Sequence, residues 1–288
     1  MFEYFVAGMS HGSLYALLAL GLVLTLKSTN TLNFAQGEIS MVMAFVCFAI
    51  WGALGQNLWI SILPTVLIAA AFGAAIYNLA IYPFRNRDQE GLAIISLALK
   101  LVITGGAALY WGPDAKVFPH FFQADQVSIL GLHVAPNQLA IIAAGIIGVS
   151  IIGAFLRYTT LGLSMRVAAE NPNLAQLLGI NLRLVGSTAW AMAAALGAIT
   201  GMLVASTLFL SPYMMGLVIM KGFAALVLGG MMSPFGAVAG GLLLGLLESG
   251  VAYSLTPLYQ DSVGLVLMIV VLLIRPSGLF QTRGAWRA

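Results

Sequence analysis

Charged residues are scarce in this sequence, and their scarcity indicates the class of protein. Only 7% of the 288 residues are Asp, Glu, Lys or Arg, whereas soluble globular domains contain about 25%. Hydrophobic residues make up 61%, and the mean hydropathy is +1.01. The apolar runs are continuous, unlike the alternating ~10-residue strands of a membrane β-barrel. We therefore predict an all-α, polytopic membrane protein with a single transmembrane domain over residues 1–288.

Residues that carry covalent or metal chemistry are also few. Cys47 is the only cysteine, so no disulfide can form within the chain, and its position in an apolar run predicts a buried structural thiol. His11, His120 and His133 are too far apart in sequence to suggest a metal site. The motifs HExxH, GxSxG and GxxxxGK[ST] are absent. The sequence therefore predicts no catalytic residue, metal or cofactor, and any work driven by ATP requires another subunit to hydrolyse it.

What the chain does contain is a series of long apolar segments. A helix needs about 20 residues to cross the hydrocarbon core, and we predict about nine membrane segments (roughly eight to ten) on this criterion. Three are short enough to be half-helices or re-entrant segments: 38–54, 217–231 and 236–253. The predicted spans are 4–26, 38–54, 59–82, 92–111, 137–157, 184–206, 217–231, 236–253 and 258–274.

The basic residues of the loops predict the orientation of the chain. Nine Lys and Arg residues fall in the loops on one side, against Lys116 alone on the other. Because basic loops remain in the cytoplasm, we expect an inner-membrane protein with its N-terminus outside and its C-terminus inside. The net charge of +3 comes from these loops and does not indicate a nucleic-acid partner. The nine residues are Lys27, Arg85, Arg87, Arg157, Arg166, Arg183, Arg275, Arg283 and Arg287.

The loop 158–182 contains a hydrophilic stretch with helix signals. Asn171 followed by Pro172 is typical of a helix start, because the Asn side chain caps and Pro loses nothing at the first helical position. Gly179 supplies a C-terminal stop. The result is a short amphipathic helix, which acts either as a surface anchor or as a knob that docks into a partner. Its apolar stripe, at spacings of i, i+3 and i+4, consists of Leu174, Leu177 and Leu178.

Several polar residues lie inside or beside the predicted spans, where they are costly and usually functional. Lys100, in mid-span, either pairs with an acid or lines a wet cavity. Lys221 and Glu248 either form an ion pair between adjacent helices or snorkel to the interface. Glu38 is favoured by the dipole of the helix that it begins, but it also ends a polar run of the kind that lines cavities in transporters. The candidates for a gate or translocation path are Asn33, Gln36, Glu38, Lys100, Lys221 and Glu248.

The outer loop, residues 112–136, is the one sizeable segment on the other side of the membrane. It contains a turn at Gly112 and a predicted short hairpin around Gly131. It either faces a soluble partner or closes the gap between two helices.

Glycine pairs at four-residue spacing predict close helix contacts, because small residues let helix backbones approach each other in lipid. We expect the nearest approach around residues 229–245. The pairs are Gly8/Gly12, Gly197/Gly201, Gly236/Gly240 and Gly241/Gly245.

Three motifs together resemble one family. LNFAQGE (Leu32–Glu38) resembles the INFAHGE signature of the membrane subunits of branched-chain amino-acid ABC importers. MRVAAENPNLAQLLGI (Met165–Ile180) resembles their cytoplasmic loop, RAxAxxxxxAxLxGI. The segment Gly222–Glu248 resembles their glycine-rich FxAAVLGGxGSxxGAxxGGxxLGxxE segment. The resemblance covers essentially the whole chain and is closer to the first of the two paired permease subunits.

The resemblance implies a type II ABC importer permease for branched-chain or other hydrophobic amino acids, or for a related small solute such as urea, a short amide or an aromatic acid. It implies a heterodimer with a second permease subunit, two cytoplasmic ATPase subunits, a periplasmic substrate-binding protein and surrounding membrane lipid. It also implies that the loop 158–182 holds the coupling helix that docks in a groove of the ATPase. The coupling residues implied are Arg166, Ala168, Ala169, Glu170, Asn171, Leu174, Ala175, Leu178 and Gly179.

The sequence departs from the family pattern at three places: Gln36 replaces the usual His, Met231-Met232-Ser233 replaces a glycine turn, and Lys100 lies in a span that is usually apolar. These departures bear on the substrate more than on the fold. A stand-alone secondary transporter or channel is the alternative function. An integral-membrane enzyme is disfavoured, because no acid–base or metal constellation is present.

Overall fold

The structure is a computed structural model that describes residues 2–55, 57–85, 87–122, 127–129, 132–254, 256–275 and 277–280. Two short antiparallel strands, β1 (Val127–Ile129) and β2 (Leu132–Val134), lie within an otherwise helical chain. The helices are α1 (Phe2–Thr29), α2 (Gln36–Ala53), α3 (Leu58–Ile76), α4 (Gln89–Trp111), α5 (Pro136–Tyr158), α6 (Thr160–Glu170), α7 (Pro172–Leu177), α8 (Leu182–Thr207), α9 (Gly216–Gly229), α10 (Pro234–Ser254) and α11 (Gln260–Ile274).

The described helices confirm a polytopic all-α membrane protein. Eight of the nine predicted spans correspond to helices long and apolar enough to cross a membrane. The ninth, predicted at 217–231, is the shorter apolar helix α9, whereas α2 and α10 reach spanning length. Within the basic loops, Arg283 and Arg287 lie outside the described residues.

Helix α1 forms the centre of the bundle. In α1, 89% of the most apolar segment is buried, against 22% in α4 and in α5. Small residues and leucines are interspersed among the buried residues of α1, so other helices can pack around it on all sides. Helices α8 and α10 pack on α1 most closely, while α3, α4, α5 and α11 turn much of their apolar surface outward. These peripheral surfaces suit lipid or a second membrane subunit.

The glycine pairs lie where helices approach most closely, as predicted. Helices α1 and α10 run antiparallel, and a Cβ added at Gly12 would lie only 2.9 Å from the Cα of Leu242. A Cβ at Gly245 would in turn collide with the backbone of Gly12. A second approach joins α8 to α2, where a Cβ at Gly201 would collide with the carbonyl of Ser40. Larger residues at these positions would separate the helices.

The chain reaches the short helix α9 through an irregular segment that is partly buried. With 14 residues, α9 is about 21 Å long. The preceding segment, residues 208–215, buries Leu210, Met214 and Met215 in the main core. Irregular backbone at membrane depth is tolerated where protein covers it. At the other end of α9, the carbonyls of its last residues accept hydrogen bonds from the amides of Leu279 and Phe280, at 2.9 and 3.3 Å.

The outer loop closes over one end of the bundle. Lys116 and Leu210 exchange two backbone hydrogen bonds of 2.8 and 2.9 Å, which tie the loop to the segment that enters α9. Phe118 and Phe121 are buried in the main core. The strands β1 and β2 confirm the predicted hairpin, although Gly131 itself lies outside the described residues. Of the two roles considered for the outer loop, these contacts favour the second: its first part closes the gap between two helices.

Candidate functional site

The loop 158–182 folds as two short helices at an angle, α6 and α7. The cap of α6 is Thr159, whose hydroxyl accepts a hydrogen bond from the Gly162 amide at 3.0 Å. Helix α6 ends at Glu170, and Asn171 has extended backbone that redirects the chain into α7. The sequence signals for α7 were clear, whereas α6 was not predicted as a separate helix.

Helix α7 has both predicted caps. The Asn171 side chain accepts a hydrogen bond from the Leu174 amide at 3.0 Å. At the other end, the Gly179 amide donates to the Gln176 carbonyl and the Ile180 amide to the Ala175 carbonyl, at 3.0 and 2.9 Å. This pair of bonds is a Schellman motif, and it requires the positive φ of +78° that Gly179 adopts. A six-residue helix held at both ends in this way is rigid.

The two faces of α7 are opposite in character. Its alanine, Ala175, is fully buried and packs with Met165 and Ala168 of α6 and Val185 of α8. Its leucines point away from the bundle: Leu174, Leu177 and Leu178 are 49%, 85% and 65% exposed. The stripe predicted from the sequence is therefore an outward-facing apolar surface, which we term the leucine face.

The other predicted coupling residues divide between the surface and the interior. Ala168 and Ala175 lie beneath the helices, so they position the segment and cannot touch a partner directly. Ala169 is half-buried. The exposed members are Arg166, Glu170, Asn171, Leu174, Leu178 and Gly179.

A polar junction that sequence reasoning missed connects this segment to α3. After α3, the chain forms a π-helical turn (Tyr77–Ile81) and a 3₁₀ turn (Tyr82–Phe84). Arg183, at the start of α8, donates to the Asn78 side chain at 2.7 Å and lies over the Tyr82 ring at 4.8 Å. Asn78 and Arg183 are 105 positions apart, so no local sequence signal indicated the junction. The π-helical turn that holds Asn78 is of a kind frequent at functional sites.

The polar run before α2 is buried and hydrogen-bonded. The Asn33 amide donates to the Gln36 side-chain oxygen at 3.0 Å, and the Gln36 amide donates to the Ala193 carbonyl of α8 at 2.8 Å. Both side chains are buried. On α4, Ser96 donates to the Leu32 carbonyl at 3.0 Å. This run therefore links α2 to α4 and α8.

Lys100 pairs with Glu38, so the predicted acidic partner exists. The Lys100 ammonium lies 3.5 Å from one oxygen of Glu38, whose side chain is 7% exposed, while Lys100 is 37% exposed. The other oxygen, Oε2, has no hydrogen-bond partner among the described residues. We term this the open pair. Glu38 lies in the first turn of α2, where the helix dipole favours a carboxylate.

Lys221 and Glu248 also form the predicted ion pair, within a larger cluster. The Lys221 ammonium lies 3.1 Å from Glu248 and 2.8 Å from Asp261 of α11. The Tyr15 hydroxyl of α1 donates to the same Glu248 oxygen at 2.8 Å. Glu248 is fully buried. We term these four residues the closed cluster; Tyr15 and Asp261 were not predicted.

The structure thus brings the predicted path residues together in two separate groups, one on α2 and α4 and one on α9 and α10.

In the described part of the chain, His, Cys, Asp and Glu side chains do not cluster in a way that could hold a metal ion. Cys47 is buried, as predicted.

Comparisons with known proteins agree with this architecture. Residues 4–272 match the family described as branched-chain amino acid transport system, permease component. The chain is 30% identical to the high-affinity branched-chain amino acid transport system permease protein LivH of Salmonella typhimurium and to that of Escherichia coli, over 94% of this chain and 92% of each relative. It is 28% identical to the permease protein BraD of Pseudomonas aeruginosa, over 96% of this chain and 94% of the relative. No solved structure matches the chain.

The family match runs from α1 into α11. On this evidence, the chain belongs to the branched-chain amino acid transport permease family.

Proposed function

We propose that this chain is one of two membrane subunits of an ABC importer in the inner membrane. It pairs with a second permease subunit, two cytoplasmic ATPase subunits and a periplasmic substrate-binding protein. Its cargo is a branched-chain or other hydrophobic amino acid, or a related small solute. Membership of the permease family supports this proposal, as do relatives whose names state branched-chain amino acid transport.

The observation that carries the proposal is the leucine face of α7. Three leucines on a rigid, doubly capped helix turn away from their own bundle. Burying a leucine fully contributes about 1.5–3 kcal/mol, so this surface is well suited to a partner. A membrane-surface anchor would carry larger apolar residues and more lysines. We assign the contact with the ATPase to Arg166, Glu170 and the leucine face, and the support beneath it to Ala168 and Ala175.

The proposed orientation places the N-terminus outside and α6 and α7 in the cytoplasm. The ends of α1, α3 and α5 that lead into basic loops all lie on the side of α7 under this topology. Cytoplasmic loops carry the excess of Lys and Arg. The ATPase would then act on the leucine face from the cytoplasm.

Motion of α7 would reach the membrane helices through two connections. Its buried face packs on the start of α8, and Arg183 joins α8 to α3 through Asn78. Closure of an ATPase dimer would therefore shift α8 and α3 with α7. We propose that this shift switches the cavity between outward and inward access.

We place the path beside the open pair. Lys100 lies on α4, whose neighbouring Leu97 and Leu101 are 44% and 72% exposed. An ammonium group is costly against lipid, so this side of α4 suits a water-lined path or the second subunit. Asn33, Gln36 and Glu38 lie behind Lys100 and belong to the same proposal. Lys221 and Glu248, in the closed cluster, fit a structural role better.

The proposal is tested by substitutions on the leucine face. We expect Leu174→Glu with Leu177→Glu to lower both co-purification of the ATPase subunits and substrate-stimulated ATP hydrolysis at least tenfold, because charge replaces the contact surface. Both side chains are exposed, so the thermal stability of the permease should not change. Leu208→Glu is the matched control, since Leu208 is 54% exposed at the opposite end of α8.

A stand-alone transporter or channel is the competing function, and the same preparation separates the two. Transport by this chain in vesicles without ATPase subunits would refute the importer proposal. The cargo follows from titrating the partner binding protein with leucine, isoleucine, valine, urea, short amides and aromatic acids. Stimulation of ATP hydrolysis only by urea or an amide would identify that compound as the cargo in place of an amino acid. The proposal that the chain belongs to an importer would still hold.

A further inference from the structure

A cavity of about 460 Å³ opens between α1, α5, α6 and α10. It lies at the ends of α1 and α5 and at the beginning of α10, well away from the open pair and the closed cluster. Its volume falls in the range of small-ligand sites, about 300–1,000 Å³. Of the residues that line it, the permease function proposed above gives a role to Arg166 alone.

The cavity combines an apolar interior with a basic mouth. Its walls are aliphatic, with Val23, Ile152 and Val238 on three different helices. Its polar lining includes Lys27, Arg157 and Arg166, and among the described residues no Asp or Glu lines it. In the described part of the chain, none of the three basic residues forms a salt bridge, although Glu170 of α6 attracts the Lys27 ammonium and Arg157 lies 5.4 Å from the Tyr158 ring. Three basic residues from α1, α5 and α6 that lack a salt-bridged carboxylate therefore surround one opening.

The apolar part continues along the membrane helices. A second cavity of about 200 Å³ shares Val149 and Val238 with the first and follows α5 as far as Ile142. Arg157 and Ile142 are separated by 15 residues of α5, which is about 22 Å along the helix axis. Half of the hydrocarbon core is about 15 Å thick. Taken together along α5, the two cavities, which we term the groove, extend over about the length of an acyl chain, with the basic residues at one end.

We infer that this groove binds an anionic phospholipid, with the phosphate headgroup between Lys27, Arg157 and Arg166 and an acyl chain along α5 and α10. Charge complementarity selects the headgroup, since basic pockets between membrane helices favour anionic lipids. The groove opens beside the outward-facing residues Ile147 and Ile151 of α5, so a lipid can enter from the bilayer. Because Met165 and Arg166 belong to α6, the bound lipid connects the coupling segment to the membrane helices.

The test uses the intact transporter assembly in phosphatidylcholine vesicles that contain a photoreactive phosphatidylglycerol. Peptides carrying the lipid are then identified by mass spectrometry. We expect adducts in residues 149–157 and 234–242, and we expect unlabelled phosphatidylglycerol to compete at least tenfold better than phosphatidylcholine. Replacing Lys27 and Arg157 with Gln, and leaving Arg166 in place for the ATPase contact, should reduce labelling by roughly fivefold per charge removed.

A charge control separates site binding from general attraction to the membrane surface. Arg85 and Arg87 belong to another basic loop, and neither is among the residues that line the groove. Substituting both by Gln should leave labelling within about twofold, because neither charge contacts the bound headgroup. An equal loss of labelling in this control would refute the proposed lipid-binding site.

A steric variant tests the acyl-chain part without changing charge. Gly153 lines the groove, and a Cβ added there meets no atom within 4 Å. Gly153→Phe should therefore fold and fill the groove, lowering labelling at least tenfold. Gly250→Phe, at the far end of α10 and equally unobstructed, is the matched control. Unchanged labelling in Gly153→Phe, equal competition by phosphatidylcholine, or displacement by inorganic phosphate as effective as by the lipid would each refute the inference.

Discussion

The open pair and the closed cluster are both intramembrane ion pairs, but their surroundings differ. In the open pair, nitrogen and oxygen are 3.5 Å apart, Lys100 is 37% exposed and Glu38 Oε2 has no partner within the described residues. In the closed cluster, Lys221 is 12% exposed and contacts two carboxylates at 3.1 and 2.8 Å, while Tyr15 donates to Glu248. Each buried carboxylate keeps one oxygen, Glu38 Oε2 or Glu248 Oε1, without a hydrogen-bond partner among the described residues. The two sites therefore differ in contact distance, in the number of partners and in the exposure of the lysine, and not in the saturation of the carboxylate.

This difference separates two uses of buried charge. A cluster with several short contacts fixes helices relative to one another, and the closed cluster joins α1, α9, α10 and α11. A single, longer ion pair whose lysine is half-exposed can exchange partners at little cost, which is what a gate or path requires. Substitutions should therefore affect stability in the closed cluster and transport in the open pair.

The largest expected effect comes from breaking the closed cluster. Lys221→Met should lower the free energy of unfolding by about 3–5 kcal/mol, because it leaves the fully buried Glu248 without a counter-charge. Denaturant titration in mixed micelles measures this change.

The double variant Lys221→Met with Glu248→Gln is the control. A neutral amide oxygen still accepts the hydrogen bond from Tyr15, so this variant should recover more than half of the lost stability. A double variant no more stable than the single one would contradict the assignment of a stabilising ion pair.

Local sequence signals predicted much of this architecture. Asn171, Pro172 and Gly179 specified the ends of α7, because capping depends on residues within one turn of each other. The glycine spacings predicted the contact between α1 and α10, where Gly12 meets Leu242. The ion pair of the closed cluster was also anticipated, since its two helices are consecutive in the chain.

Features that depend on distant contacts could not be predicted. Lys100 and Asn78 find their partners, Glu38 and Arg183, only through the relative rotation of packed helices. The sequence also could not predict whether the leucine face points toward the bundle or away from it, because a stripe at helical spacing suits a core and a docking surface alike. The same holds for Ala168, which is one of the predicted coupling residues but is buried beneath the helices by packing.

An intermediate effect is expected beside the open pair, at Gln36. Gln36→Leu should cost about 2 kcal/mol of unfolding free energy, because it leaves the buried Asn33 amide without its partner and removes the hydrogen bond that the Ala193 carbonyl accepts in addition to its bond within α8. Ser40→Ala is the control, since the Ser40 hydroxyl bonds only to the Gln36 carbonyl one turn earlier and should contribute about 0.5 kcal/mol. Equal losses of unfolding free energy in the two variants would show that the hydrogen bond from Gln36 to α8 contributes no more than the bond of Ser40 within its own helix.

The smallest effect on stability, with a clear effect on transport, is expected at Lys100. Lys100→Met should cost about 1 kcal/mol, because the ammonium is half-exposed and the dipole of α2 still stabilises Glu38 by about 0.3–1 kcal/mol. If Lys100 lines the path, uptake by the reconstituted assembly should fall about tenfold, a barrier increase of roughly 1.4 kcal/mol, while substrate affinity of the binding protein stays the same. Lys100→Arg keeps the charge and should retain most of the uptake. Full uptake in Lys100→Met would remove the open pair from the path and leave it, like the closed cluster, as a link between helices.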